Sequence, residues 1–259
     1  EAMHVQGNVY VLAGAGALIT VQVGEDGLLL VDSGDGTKND AVLKELQKLS
    51  KEKINHIINT SSNLAHIGGN AALAVDEPAK NLLPDGSTGG SLPQQKAFIM
   101  RGEGAVIRSH ENAATEMGRV TPGVPPTDRA LVPNRTFFTE RQLFAYNNEP
   151  IEMIHVPNAT STGDVIVLFR KSDVISTGEL FSTVSYPIID PKKGGSLKGE
   201  LEGLNMLIDI AVPLINQEGG TRIIPARGRI CNEMDVVEYR DMVTIVHDRI
   251  QKMVKDGMT

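Results

Sequence analysis

Three side chains able to do chemistry, Ser61, Asn63 and His66, fall in one short polar stretch of the segment Ile54 to Asn70, which reads Ile-Asn-His-Ile-Ile-Asn-Thr-Ser-Ser-Asn-Leu-Ala-His-Ile-Gly-Gly-Asn. A serine hydroxyl attacks when an adjacent imidazole takes its proton, so Ser61 or Ser62 with His66 forms one candidate nucleophile and base. No nucleophile-elbow pattern surrounds these serines, and no acid that would orient His66 is identifiable along the chain. Loop serines more commonly form turns or face solvent. The same imidazole is a metal ligand by type, but a tight zinc site needs three or four His, Asp or Cys donors around an open position. His66 alone does not supply them.

The elements that must position this stretch are legible from periodicity. Apolar Ile54, Ile57 and Ile58 read as a buried strand, Thr60 to His66 as the loop at its end, and Gly68-Gly69-Asn70 as the start of a helix. Such a loop is where α/β proteins put their chemistry. Upstream, Asn8 to Ala13 and Leu18 to Val23 read as paired strands, and Gly27 to Asp32 as a third, buried one. Asn39 to Leu49 follows as an amphipathic helix with Val42, Leu43, Leu46 and Leu49 on one face. Strand, helix and strand in this order predict a right-handed crossover.

Downstream, Asp76 to Gln95 is rich in Pro, Gly, Ser and Asn and predicts a long surface loop or lid. Ala105 to Ser109 reads as a strand, His110 as a capping or packing residue, and Thr121 to Pro133, with its four prolines, as irregular chain. Thr136 to Phe138, Gln142 to Tyr146, Ile151 to Val156, Asp164 to Phe169 and Val174 to Thr177 predict a second sheet. Leu197 to Ile215 and Met234 to Val254 have helical spacing, with Arg222 to Ile224 a strand between them.

Composition narrows the function classes. A chain of 259 residues with 41% hydrophobic and 22% charged residues suits a globular protein with a substantial core, and a single domain over 1–259 is expected. A net charge of −7, with acids and bases interspersed, argues against a nucleic-acid partner or an anionic membrane surface. One cysteine, Cys231, excludes an internal disulfide or a thiolate metal cluster. No apolar run reaches the length of a membrane span. The chain opens on Glu1 and is expected to be soluble, with a periplasmic or secreted location open if a leader has been removed.

The 54–70 segment resembles the signature of the metallo-β-lactamase-fold hydrolases, Thr-His-x-His-x-Asp-His-x-Gly-Gly-Asn, which in that family supplies ligands to a two-zinc site. Thr60, His66, Gly68, Gly69 and Asn70 match it, while Ser61, Asn63 and Ala65 stand where the family has His, His and Asp. The resemblance continues along nearly the whole chain, most thinly between about Asp76 and Ala105. Asp32, in Val-Asp-Ser-Gly, matches an Asp that supports the metal loop in the family; by its own position it is equally a turn-capping Asp. Asn158 to Asp164 matches a motif whose ligand His is Thr160 here. Thr177-Gly178-Glu179-Leu180-Phe181 has Glu179 for the metal-bridging Asp, and Ile224-Pro225-Ala226-Arg227-Gly228 has Arg227 for a ligand His. Tyr186-Pro187-Ile188-Ile189-Asp190 and Gly194-Gly195-Ser196 match a loop without ligands, with Lys192 and Lys193 between them.

The resemblance implies an α/β fold, a four-layer αββα sandwich of two mixed sheets with helices outside. It also implies a metal site rewritten at its ligand positions, with the scaffold retained. No cofactor is expected, zinc only if the site has been rebuilt, and no metal ligands beyond His66 and Glu179 suggest themselves. A guanidinium matches a carboxylate fork, so Arg227 is expected to pair with Glu179 in the old metal cavity. His66, Glu179 and Ser61 are the catalytic candidates, and Asn63, Thr160, Arg227 and Asp32 the ligand-binding ones. Two functions remain open: a binding or pseudo-enzyme member taking a small anionic or polar ligand, or a hydrolase of an ester, lactone, thioester or amide with a rebuilt metal site or none.

Overall fold

The computed structural model of this protein describes residues 1–75, 104–119, 127–216 and 219–258. The stretch expected to form a lid, Asp76 to Gln95, lies outside them.

Seven strands make the first sheet, in chain order: β1 (Ala2–Gln6), β2 (Val9–Leu12), β3 (Ile19–Gly24), β4 (Gly27–Val31), β5 (Ile54–Ile58), β6 (Val106–His110) and β7 (Arg135–Phe137). The first four pair antiparallel and β4 to β7 run parallel. All five residues of β4, Gly-Leu-Leu-Leu-Val, are buried, as a strand covered on both faces requires. The β4 to β5 connection is the expected crossover through helix α1 (Asn39–Leu49), which buries Val42 and Leu46.

The second sheet has the order β12-β11-β10-β9-β8, from β8 (Arg141–Tyr146), β9 (Glu149–Val156), β10 (Asp164–Phe169), β11 (Val174–Ser176) and β12 (Arg222–Ile224). One expectation is corrected here. The strand near Thr136 to Phe138 is β7, and it pairs with β6 at the edge of the first sheet instead of joining the second. Alternation over three residues marks a strand but not the sheet it joins.

Three apolar clusters give the layer order. Val11, Leu29, Val31 and Ile58 of the first sheet meet Ile151, Met153, Val167 and Phe169 of the second, so the central core lies between the sheets. The outer face of the first sheet packs Ile19, Leu28, Leu30 and Ile57 against Val42 and Leu46 of α1. The outer face of the second packs Ile154, Ile166 and Ile175 against α5 (Leu197–Ile210) and α6 (Glu233–Lys255). Helices, sheet, sheet and helices form the expected αββα sandwich.

Helix α5 stops at Ile210, five residues short of the periodicity expectation, where Ala211 turns to extended backbone. Helix α6 begins at a capping box in which Asn232 and Asp235 satisfy each other's backbone N–H. His110 is the N-cap of α4 (Glu111–Gly118), and its ring stacks on His155 at 3.6 Å, the packing role expected of it. His56 packs edge-on between Phe144 and Tyr146. Cys231 is buried, and burial pushes its thiol up to about 12, so it is inert. Among the described residues no helix is long and apolar enough to cross a membrane.

Candidate functional site

The C-terminal ends of β4, β5, β9, β11 and β12 bring the singled-out residues to one end of the sandwich. The stretch after β5 is not a plain loop. It contains a four-residue helical turn, α2 (Leu64–Ile67), which carries His66 inward, and a second, α3 (Asn70–Leu73), after the two glycines. A Cβ on Gly69 would sit 2.1 Å from the Ser33 carbonyl oxygen, so only glycine permits this approach. Asn70 is fully buried; it accepts from the Ser33 hydroxyl and the Asn59 amide and donates to Asn59 and the Leu131 carbonyl.

Asp32 holds the loop from beneath. It adopts φ +64°, uncommon for a residue with a Cβ, and is 2% exposed. Its carboxylate accepts from the Thr60 N–H at 2.8 Å, the Thr60 hydroxyl at 2.7 Å and His66 Nδ1 at 2.5 Å. Of the two readings of Asp32, the structure supports the loop-supporting one.

The other side of the imidazole faces Glu179, which a 3-10 turn after β11 presents. His66 Nε2 lies 3.2 Å from Glu179 Oε1, in ion contact but off the line of an aligned hydrogen bond. Asn63 completes the arrangement. Its Oδ1 caps α2 by accepting from the Ala65 N–H, and its Nδ2 donates to Glu179 Oε1 at 2.9 Å. Burial opposes charge on His66, yet Asp32 and Glu179 outweigh it and hold its pKa up to about 10. Burial likewise works to raise the Glu179 carboxyl, and His66, Asn63 and Arg227 together bring it below the usual value. The imidazole lies between two carboxylates, and both favour its charged form.

Two expectations change as a result. Arg227 does not pair with Glu179. The two side chains share the wall of a small pocket of about 10 Å³, and Arg227 acts on Glu179 only through space. The nearer cation, His66, has taken the carboxylate. Ser61 is buried but its hydroxyl accepts from the Asn63 N–H and is not hydrogen bonded to His66, whose ring nitrogens face Asp32 and Glu179. Thr160 donates its hydroxyl to Asp164 at 2.8 Å. Among the described residues no group of three or more His, Cys, Asp or Glu is arranged to hold a metal ion.

Sequence reasoning missed three residues. Lys193 reaches across from the loop before α5 and donates to the Ser62 hydroxyl at 3.1 Å, placing a cation on the rim. Asp164 accepts from Thr160 and Ser161, and burial raises it to about 6 against those bonds. Glu200 on α5 is 0% exposed with neither carboxylate oxygen hydrogen bonded; burial, then Asp164 and Glu179, raise it to about 8. Its signal was available: it lies three residues after Leu197 and four before Leu204, on the apolar face of that helix.

A family model described as the metallo-beta-lactamase superfamily matches residues 5–212, most of the chain. The protein belongs to the metallo-β-lactamase superfamily. Among solved structures, a metallo-beta-lactamase from Pontibacter korlensis superposes with a TM-score of 0.63 at 13% identity, covering 94% of this chain and 98% of its own. The DIM-1 metallo-beta-lactamase gives 0.63 at 11% identity, with 95% and 97% covered. The sec-alkylsulfatase Pisa1 from Pseudomonas sp. gives 0.68 at 16% identity over all of this chain, which spans only 44% of that longer enzyme. At such identities the likeness is one of fold. No curated protein sequence matches the chain.

Proposed function

We propose that this superfamily member is a non-catalytic, ligand-binding protein, a pseudo-enzyme whose metal site is degenerate. The observation that carries this reading is the engagement of His66 by Asp32 on one ring nitrogen and Glu179 on the other. Nδ1 is committed to Asp32, and Nε2 faces the Glu179 carboxylate without an aligned hydrogen bond, so at most one ring nitrogen is left as a donor. Zinc hydrolysis needs several such donors to turn water into hydroxide, and the hydroxyl of Thr160, the amide of Asn63 and the guanidinium of Arg227 are poor replacements. The residues present do not fit zinc, and no zinc-bound step is derived for them.

What the cleft offers instead is recognition. Arg227 lines the small pocket beside Glu179, Asn63 donates to that carboxylate, and Lys193 reaches the Ser62 hydroxyl next to this loop. This favours a small anionic or polar molecule, such as a carboxylate, bound by Arg227 through paired hydrogen bonds. No nucleic acid or membrane partner is proposed, and a soluble protein, with export open, fits the composition.

The test is metal content and turnover together. Purified protein incubated with zinc, manganese or iron and desalted is expected to retain well under one equivalent. Small carboxylates should raise its melting temperature, while ester, lactone, thioester and β-lactam probes are not turned over. Near-stoichiometric metal, or turnover abolished by His66→Ala, would overturn the reading in favour of a hydrolase.

A further inference from the structure

Outside the site, the loop after Glu179 and the first turns of α6 enclose an open groove of about 470 Å³. That volume falls within the range of small-molecule sites. Its apolar surface comes from Phe181, Tyr186, Tyr239 and Met242. Phe181 and Tyr239 pack edge to face at 5.2 Å, and the Tyr239 hydroxyl donates to the Ser185 carbonyl, so this wall is fixed in place. Tyr186, by contrast, is 65% exposed and offers its ring to an occupant.

The charges at the groove do not balance. Arg229 makes two hydrogen bonds to Asp235, at 3.1 and 2.5 Å, and the Asp235 carboxylate also accepts from the Asn232 N–H. That cation and that anion are spent on each other and on capping α6. Glu238, one turn further along the helix, is exposed and makes no hydrogen bond or ion pair among the described residues. Arg229 acts on Glu238 only through space, so the lining of the groove keeps one net negative charge, on an exposed carboxylate beside two tyrosine rings and a methionine.

We infer that this groove is a second binding site, for a small organic cation with an aromatic or aliphatic body. The ammonium sits against Glu238, and the apolar body covers Met242 and the tyrosine rings. Aromatic faces beside a carboxylate favour a cation over a neutral or anionic molecule of the same shape. Methionine adapts to the shape of the apolar part. The groove shares Tyr186 and Tyr239 with the small pocket beside Glu179 and Arg227, but its own charge is of opposite sign to that of Arg227. Its occupancy is independent of whether the cleft binds an anion.

The experiment titrates methyl-labelled protein with 2-phenylethylammonium, 2-phenylethanol and 3-phenylpropanoate, following the Met242 methyl resonance, which a Met242→Leu spectrum assigns. The expected result is a saturable shift with the ammonium, about fivefold tighter than the alcohol, the upper end for an exposed charge pair. The carboxylate should bind more weakly than either. Glu238→Gln, an exposed change that leaves the fold intact, should reduce the ammonium to the level of the alcohol, and Arg227→Met should leave it bound. No Met242 shift at millimolar probe, equal binding of the three probes, or full ammonium binding by Glu238→Gln would overturn the inference.

Discussion

Replacing Glu200 with methionine should make this protein more stable, by an amount that grows with pH. The carboxyl is fully buried with both oxygens unpartnered, so the native state gains no hydrogen bond from it and must keep it neutral or bury a charge. Its folded pKa of about 8 stands above the ordinary 4.5. A raised carboxyl binds its proton more tightly in the native state. Its contribution to folding is therefore least unfavourable below pH 4.5 and worsens as pH rises toward 8. Linkage puts the cost at about 1 kcal/mol at pH 5, about 3 at pH 7 and about 5 at pH 9. Methionine fills a similar volume without the ionisable group. Urea unfolding of both proteins at these three pH values measures the difference directly. A Glu200→Met protein that is less stable, or a gap that does not widen from pH 5 to pH 9, would refute the reasoning and mean that Glu200 has a partner worth more than its desolvation.

Other perturbations separate the remaining parts of the site. His66→Gln removes the cation between Asp32 and Glu179 and leaves two buried carboxylates uncompensated; a loss of about 3 to 5 kcal/mol is expected in chemical denaturation. Because the His66 pKa is raised to about 10 from 6.5, this contribution is full below pH 6.5 and disappears as pH rises through 10, so the two proteins should converge in alkali. Direct observation of the imidazole by nitrogen NMR should show both ring nitrogens protonated at pH 8; a ring that titrates near 6.5 contradicts this arrangement. Asn70→Ala should cost about 2 to 4 kcal/mol, since it leaves the Asn59 side chain and the Leu131 carbonyl without a partner and the Ser33 hydroxyl with the His66 carbonyl alone. Gly69→Ala drives a methyl into the Ser33 carbonyl and should destabilise the fold by more than about 2 kcal/mol, visible as a lowered melting temperature.

Much of the architecture is legible along the chain because it follows from local periodicity. The apolar run of β4, the spacing of Val42 and Leu46 on α1 and the helical spacing of α6 each specify their element without distant partners. The three residues of β7 were assigned to the wrong sheet because pairing is decided by a strand's neighbours. The Gly68-Gly69-Asn70 frame, the Asp32 corner and the rewritten ligand positions were visible as a pattern of residue types, and with them the family. The helical turn that carries His66 inward was not, since four residues are too few to show a period.

The sequence by itself determined which groups reach the end of the sandwich: Asp32, Ser61, Asn63, His66, Thr160, Glu179 and Arg227 arrive there because each closes or follows a strand. Only the tertiary structure decided how they pair. Asn63 and Glu179 are 116 residues apart and share a hydrogen bond, while Arg227 and Glu179, complementary in type, do not meet. Ion pairing among buried groups depends on distances of a few ångströms and on desolvation, and neither is a property of local sequence. The same holds for Glu200, an ordinary helix former until the tertiary fold buries it.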